Sequence, residues 1–209
     1  PGAPADVVRR TQRSVLELVS YVANIIDERK RSEPKPDLIS MLLSVGEPGG
    51  EITEEELLAN SVMLLFAGHG TITVMISVTL MTLLQVPGIW KRLLVNPDET
   101  PRAIEEVLRF DSPCQLIRRL ATDEVTLAGK PIKKGDMLWL NLGAANRDPR
   151  KYSQPDEFLM DRREIAHFGY GFGIHHCLGA ALLRVQTDIV VRNILKVLPN
   201  VRLSGEPVE

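Results

Sequence analysis

The apolar positions in the first part of the chain recur at the spacing of an amphipathic helix. Over Ala5–Lys30 they return every three or four residues while charges fill the opposite face, and Pro34 and Pro36 end the run. A short helix is predicted over residues 37–45, with Asp37 placed to cap it. The glycine-rich residues 46–50 then break the chain again.

A longer helix follows, and it carries almost no charge. Thr53 and Glu56 form a capping box at its start, and residues 57–90 contain no Asp, Glu, Lys or Arg. A charge-free stretch of that length qualifies as a candidate membrane span. The sequence Gly68-His69-Gly70 at its middle and the absence of an aromatic belt at its flanks argue against lipid. We therefore favour a helix through the middle of a protein core, ended by Pro87, over a membrane span.

The remainder of the chain changes character twice. Helical spacing continues over residues 89–94 and Thr100–Phe110, and short apolar runs separated by turn residues then predict a small antiparallel sheet within residues 114–140. Loop residues dominate 146–176, and a last helix is predicted from about residue 177 to 198. The sequence thus predicts a mainly α fold with a small antiparallel β element.

Composition excludes several classes of protein. The chain has 209 residues, with 25 Lys and Arg against 27 Asp and Glu, and a net charge of −2 gives no support for a nucleic-acid partner. Its 2 cysteines exclude a disulfide-dense scaffold and a multi-cysteine metal cluster. An amphipathic segment follows the first basic residues, so we expect no secretory signal and no membrane anchor in this chain.

The densest chemical signal lies in residues 170–179. Cys177 precedes a run of strong helix formers, which predicts that its sulfur lies at a helix N-terminus, where the helix dipole favours a thiolate. Gly171, Gly173 and Gly179 remove side chains around it, so that backbone N–H groups can reach the sulfur and a large flat ligand can lie against the loop. A thiolate tuned by donated hydrogen bonds suits an axial ligand of iron.

Two other interpretations of this segment stay open. Cys177 can be a small buried cysteine beside a glycine-rich turn. Alternatively, His167, His175, His176 and Cys177 supply four potential zinc ligands, although three adjacent side chains converge poorly on one tetrahedral ion.

Two weaker signals involve pairs of residues one helical turn apart. Glu106 and Arg109 share a helix face and can form an ion pair. Gly68 and Thr71 place a gap and a hydroxyl on one face of the apolar helix, which suits either a small ligand such as O2 or an ordinary helix–helix contact.

In this order and spacing, the three signals resemble the cytochrome P450 family of haem-thiolate monooxygenases, in its soluble bacterial form. The segments that carry the resemblance are Phe66-Ala67-Gly68-His69-Gly70-Thr71, Glu106-x-x-Arg109 and Tyr170-x-x-Gly173-x-His175-x-Cys177-x-Gly179. The resemblance is to the C-terminal half of the family. It implies that residues 1–209 form a single haem-binding domain and that the N-terminal half is absent.

The resemblance assigns roles to individual residues. It implies that Cys177 is the proximal thiolate on the iron of haem b (iron protoporphyrin IX), and that His175 and Arg119 contact the haem propionates. Tyr170, Gly171 and Gly179 would complete the cofactor-binding loop.

On the opposite face of the haem, Ala67, Gly68 and Thr71 would line the distal pocket, with Thr71 stabilising bound dioxygen and guiding protons to it. Glu106 and Arg109 would form a buried structural pair.

The activity implied is that of an oxidoreductase, a cytoplasmic monooxygenase that hydroxylates an organic small molecule. Electrons would come from a ferredoxin-like protein or a flavoprotein. The alternatives are a truncated, non-catalytic haem-binding remnant, and a zinc-binding or membrane-embedded interaction module.

Three positions depart from the family pattern. Gly70 stands where an acidic residue usually precedes the threonine, which puts the proton relay in question, and Tyr170 replaces a phenylalanine. Glu157 stands where an arginine often joins Glu106 and Arg109, and Arg162 or Arg147 is the candidate substitute.

Overall fold

The computed structural model describes residues 3–45, 52–163 and 165–205, so the predicted break at 46–50 lies outside the described residues. The chain divides into two compact units, Pro1–Gly70 and Thr71–Glu209. One long helix, α3 (Glu54–Gln85), runs through the boundary between them.

In the described part of the first unit, helices are the only regular elements. It contains α1 (Ala5–Lys30), α2 (Leu38–Val45) and the beginning of α3. The Asp37 carboxylate accepts the Ser40 N–H at 2.9 Å, which confirms the predicted cap of α2. At the start of α3, Thr53 N–H donates to Glu56 Oε2 at 2.8 Å, and Glu56 N–H donates to Thr53 Oγ1 at 3.2 Å. The capping box is therefore confirmed.

The described part of the second unit contains four more helices and two pairs of short strands. The helices are α4 (Ile89–Val95), α5 (Thr100–Phe110), α6 (Leu142–Ala145) and α7 (Ala180–Val197), with short 3-10 turns over Pro97–Glu99 and Gly173–His175. The strands are β1 (Leu116–Leu120), β2 (Val125–Leu127), β3 (Lys130–Ile132) and β4 (Met137–Asn141). The prediction of a mainly α fold with a small antiparallel β element is confirmed.

The strands form two separate antiparallel pairs, β1 with β4 and β2 with β3, and the single sheet that the sequence predicted is wrong in this respect. Ala128 and Gly129 both have positive φ, 48° and 76°, which closes β2 and β3 into a tight two-residue hairpin. β1 is paired along its length with β4, where Arg119 lies opposite Leu138, and the hairpin of β2 and β3 pairs with itself.

Helix α5 occupies the centre of the second unit. Its apolar residues fall on one face, and Ala103 and Val107 are buried against Val191 and Leu195 of α7. A second cluster joins Ile104 and Leu108 to Met75, Tyr170 and Ala180. Because each fully buried side chain of this kind stabilises the fold by roughly 1.5–3 kcal/mol, α5 is the rigid support on which the following loops are placed.

Helix α3 is only partly a core helix. It is the one helix of the described residues that is long and apolar enough to cross a membrane, and 11% of its most apolar window is buried. Leu57 is buried in the first unit and Leu83 in the second, but Phe66 is 75% exposed. In this chain both ends of the helix contribute buried residues, as predicted, whereas its middle is exposed. One such helix is weak support for a membrane location.

Candidate functional site

Three charged side chains form a buried cluster between α5 and the loop that follows α6. Glu106 and Arg109 are both fully buried, and Arg109 Nε and Nη2 donate to the two Glu106 carboxylate oxygens at 2.8 Å each. The nearly buried Arg162 donates from Nε to Glu106 Oε1 at 3.3 Å. The predicted pair is therefore present, and Arg162 is its third member.

Backbone carbonyls satisfy the remaining donors of this cluster. Arg109 donates to the carbonyl oxygens of Asn146, Pro155 and Glu157 at 3.1, 2.8 and 2.9 Å. The Glu157 side chain points elsewhere, to Gln154. One glutamate and two arginines with carbonyl partners thus tie α5 to residues 146–162.

Arg147, the other candidate for the third position, belongs to a different contact. Its Nε and Nη2 donate to the Phe110 carbonyl at 3.1 and 2.7 Å, and its guanidinium lies 4.3 Å from the centre of the Phe110 ring. Arg147 therefore hydrogen-bonds the carbonyl of the last residue of α5, and it is not a partner of Glu106.

The loop that carries the candidate thiolate, residues 167–179 (the cysteine loop), is shaped by backbone hydrogen bonds and glycines. Cys177 N–H donates to the Tyr170 carbonyl at 2.8 Å, and Gly171 N–H donates to the Phe168 carbonyl at 2.8 Å. Gly171 and Gly173 have φ of +73° and +66°, where other residues are strained. A Cβ on Gly171 would also lie 3.1 Å from the His175 carbonyl oxygen. The backbone conformation therefore favours glycine at both positions, and their predicted role in leaving space for a flat ligand stays a prediction.

The last helix begins later than predicted. It starts at Ala180, with Gly179 as its N-cap, so the predicted start near Cys177 is wrong by three residues. Among the described residues, no N–H group donates to the Cys177 sulfur, contrary to expectation. The Cys177 backbone is hydrogen-bonded instead, with its N–H donating to the Tyr170 carbonyl and its carbonyl accepting the Ala180 N–H at 3.3 Å.

The surroundings of Cys177 fit a large flat apolar ligand. A free cysteine is usually among the most buried residues, but Cys177 is exposed, so the buried structural cysteine is not what the structure shows. Phe172, Ile174 and Leu178 beside it are 79%, 97% and 83% exposed. A loop that carries both an exposed thiol and exposed apolar side chains suits a ligand surface, and a macrocycle bound through its metal to the sulfur fits both features.

A second polar cluster, which sequence reasoning missed, lies beneath this loop. Glu105 accepts hydrogen bonds from Arg184 Nε at 2.6 Å and Arg184 Nη2 at 3.1 Å. His167 Nε2 lies 3.2 Å from the same carboxylate. The Arg184 guanidinium lies 4.4 Å from the centre of the Tyr170 ring. In the sequence, this cluster is marked only by a second glutamate next to Glu106. Its partners, His167 and Arg184, lie 62 and 79 positions away and are not indicated by any neighbouring residue.

The electrostatics of this cluster follow from its partial burial. Burial raises the pKa of Glu105, but hydrogen bonds from His167 and Arg184 outweigh it and lower the pKa to about 2. Burial raises the pKa of Tyr170 to about 12, and its buried hydroxyl has no hydrogen-bond partner among the described residues. Glu105 is thus a fixed anion, and Tyr170 acts here through its ring.

The other predicted site residues lie on three different elements. Arg119 lies on β1 with its Nη1 donating to the Arg118 carbonyl at 2.8 Å, and His175 is exposed in the 3-10 turn before Cys177. Ala67, Gly68 and Thr71 are exposed on α3, with Ala67 and Gly68 in the first unit and Thr71 opening the second.

The zinc interpretation finds no support in the described part of the chain. No group of three or more His, Cys, Asp or Glu side chains there is placed to hold a metal ion. His167 Nε2 lies 3.2 Å from the Glu105 carboxylate, and His167 Nδ1 accepts the Gly169 N–H at 3.0 Å. Both ring nitrogens therefore have partners other than an ion shared with Cys177.

Comparisons with known proteins agree on one family. The family model for cytochrome P450 matches residues 3–100 and 100–198. The biotin biosynthesis cytochrome P450 of Bacillus subtilis is 38% identical over 189 residues, which is 90% of this chain and 47% of that protein. Cytochrome P450 109 of Bacillus spizizenii is 38% identical over 193 residues, 92% of this chain and 47% of that protein.

Solved structures give the same result. CYP164A2 of Mycobacterium smegmatis, in its ligand-free state, matches with a TM-score of 0.90 and 38% identity over 99% of this chain and 52% of its own. P450BioI in complex with a fatty-acid-ligated acyl carrier protein matches with a TM-score of 0.89 and 35% identity, over 98% of this chain and 52% of its own. The chain spans about half the length of the relatives it matches.

Proposed function

The chain belongs to the cytochrome P450 family, and we propose that it carries the haem-binding portion of a monooxygenase that hydroxylates an organic small molecule. The observation that carries this proposal is the exposed Cys177 thiol, held in a loop with two left-handed glycines that also carries exposed apolar side chains. We further propose that residues 1–209 act as one C-terminal haem-binding domain of a cytoplasmic protein.

The cofactor in this proposal is haem b. Haem held by a thiolate supplies reductive activation of O2, which inserts one oxygen atom into an organic substrate and releases the other as water. Cys177 would provide the thiolate, with Gly171 and Gly179 leaving room for the ring beside it. His175 and Arg119 are the cations assigned to the propionates.

The distal residues would control oxygen and protons. Ala67 and Gly68 would leave space on one face of α3, and the Thr71 hydroxyl, one helical turn from Gly68, would donate or relay a proton there. Their exposure on the helix is consistent with a surface that a further part of the protein covers.

The electron donor is proposed to be an acidic protein, of the ferredoxin or flavoprotein kind. A cavity of about 490 Å³ at the N-terminal half of α5 is lined by Arg102, Arg163 and Arg184, together with Glu105. Arg184 also contacts the cysteine loop, with its guanidinium 4.4 Å from the centre of the Tyr170 ring. Because positive groups attract an acidic surface through solvent, electron transfer should slow as ionic strength rises.

The carbon monoxide difference spectrum of the reduced, haem-loaded protein tests the thiolate. We expect a thiolate-type Soret band that Cys177→Ser abolishes. Cys114→Ser is the matched control, because Cys114 is also a free, exposed cysteine and should leave the band unchanged. Loss of the band in the Cys114 variant, or its survival in the Cys177 variant, would reject the assignment of the ligand.

The second candidate function is a haem-binding protein without monooxygenase activity, and Gly70 is the observation that favours it. The position lacks the carboxyl that usually precedes the threonine, so protons would reach Thr71 poorly. Among the described residues, a Cβ at Gly70 would meet nothing within 4 Å.

Gly70→Glu separates the two functions. If the protein is a monooxygenase with a weakened relay, the variant should divert fewer electrons from NAD(P)H to peroxide and more to product. Gly68→Ala, also with open space at its Cβ, is the control for filling the helix without adding an acid. Haem binding without product in either variant would favour the non-catalytic function.

A further inference from the structure

Glu105 lies on α5 immediately before Glu106, but it faces different partners. Its carboxylate accepts both Arg184 donors, at 2.6 and 3.1 Å, and lies 3.2 Å from His167 Nε2. The Gly169 N–H donates to His167 Nδ1 at 3.0 Å, so the imidazole proton belongs on Nε2 and is donated to Glu105. All of the close partners of Glu105 are therefore donors.

These partners lie on opposite sides of the cysteine loop in sequence. His167 opens the loop, and Arg184 belongs to the first turns of α7, which follows it. A single carboxylate on α5 thus holds both ends of the segment that contains Cys177. Helix α5 is the most buried helix of its unit, so this anchor is rigid.

The contact continues from Arg184 to the cysteine backbone. The Arg184 guanidinium stacks over the Tyr170 ring at 4.4 Å, and its plane is fixed by the two hydrogen bonds to Glu105. The Tyr170 carbonyl in turn accepts the Cys177 N–H at 2.8 Å. Glu105, Arg184, Tyr170 and Cys177 therefore form a continuous chain of contacts.

We propose that Glu105 is a positioning residue for Cys177, acting through Arg184 and Tyr170 to hold the cysteine loop in the geometry of a metal ligand. The proposal rests on the proposed function in taking Cys177 as the thiolate ligand. It gives Glu105 a task separate from that of Glu106, whose cluster ties α5 to residues 146–162 and contacts neither Arg184 nor Tyr170.

Hydrogen exchange of the haem-free chain measures the proposed effect directly. In Glu105→Gln, the side-chain NH2 group is itself a donor and would face the donors of Arg184 and His167. The two hydrogen bonds that fix the plane of the Arg184 guanidinium are then no longer both possible. We expect the Cys177 amide proton to exchange about tenfold faster than in the unaltered chain, because its bond to Tyr170 opens more often. The amides of Val191 and Leu195, in the core of α7, should exchange at unchanged rates.

Arg192→Gln is the matched control. Arg192 also joins α7 to a preceding segment, through hydrogen bonds of 2.8 Å to Asp188 and 2.9 Å to Asp98, but it lies far along the helix from the cysteine loop. Its loss removes an ion pair of similar kind and should leave exchange at Cys177 unchanged. Tyr170→Phe should also leave it unchanged, because the ring carries the contact and the hydroxyl has no partner among the described residues.

Arg184→Lys provides a second, milder test that keeps the positive charge beside Glu105 but loses the flat guanidinium over Tyr170. Exchange at Cys177 should accelerate in this variant as well. If Glu105→Gln does not fold, the exchange rate of the Cys177 amide in Arg184→Lys tests the proposal instead. Unchanged exchange at Cys177 in a folded variant overturns the proposal, and so does equal acceleration at Cys177, Val191 and Leu195, which would mean general destabilisation.

The haem-loaded protein gives a spectroscopic readout. Glu105→Gln should lower the fraction of the carbon monoxide complex that shows the thiolate-type band, and Glu105→Asp, which restores the charge, should recover part of it. The exchange measurement uses no haem, so failure to bind haem would reject the proposed function and leave the positioning test intact.

Discussion

Replacement of Glu106 by glutamine is the sharpest test of the buried ion cluster. The glutamate is the only carboxylate in contact with Arg109 and Arg162 among the described residues, and all three side chains are at most 4% exposed. Glutamine keeps the shape but leaves two buried guanidinium groups without a counter-charge. Removing one partner of such a cluster costs roughly 3–5 kcal/mol.

That loss is large against the total stability of a domain, which is about 5–15 kcal/mol. Urea unfolding followed by circular dichroism and by tryptophan fluorescence measures it, since Trp90 is buried in the same unit. We expect a much lower midpoint with an unchanged slope, or a chain that does not fold at all.

Two further variants make the prediction specific. Glu157→Gln makes the same chemical change on an exposed residue, which contacts Arg109 through its backbone carbonyl and not through its side chain. This variant should change stability by no more than about 0.5 kcal/mol. Arg162→Gln should cost less than Glu106→Gln, because the two 2.8 Å bonds between Glu106 and Arg109 survive. Equal stability of the Glu106 and Glu157 variants would refute the reasoning.

Two other predictions follow from the same unit. The pKa of Glu105 falls from 4.5 to about 2 on folding, so its contribution to stability is present above pH 4.5 and is lost as the pH falls towards 2. The urea midpoint of Glu105→Gln should therefore depend less on pH in that window, and an identical pH profile in both proteins would contradict the assignment. Gly171→Ala should cost about 1–2 kcal/mol, because φ is +73° and the new Cβ would lie 3.1 Å from the His175 carbonyl oxygen. Gly179→Ala, with φ of −82° and open space, should cost clearly less in the same unfolding assay.

The features that were predictable from sequence depend on residues close together in the chain. The capping box is a pair of hydrogen bonds between Thr53 and Glu56, which are three positions apart. The helix Ala5–Lys30 follows from the spacing of its apolar residues alone. The left-handed backbone at Gly171 and Gly173 is equally local, since only glycine adopts it without strain. The family resemblance depended on the same short segments.

The features that the sequence did not predict depend on partners far away in the chain. Arg162 joins Glu106 across 56 positions, and Arg184 joins Glu105 across 79. Spacing cannot distinguish Arg162 from Arg147, because both are arginines in one loop segment. Their different partners, Glu106 and the Phe110 carbonyl, follow only from how that loop packs on α5.

The long apolar helix α3 shows the same division. Its composition determined that it would be a helix and that most of its side chains are apolar. The composition did not determine which residues would pack against them. In this chain, which spans about half the length of its relatives, Leu83 is buried while Phe66 is 75% exposed. By itself the sequence determined the helices, their caps, the glycine turns and the cysteine, because these depend on local backbone energies. Only the tertiary structure decided which charges meet and which apolar faces are covered, because burial and ion pairing depend on residues brought together from distant parts of the chain.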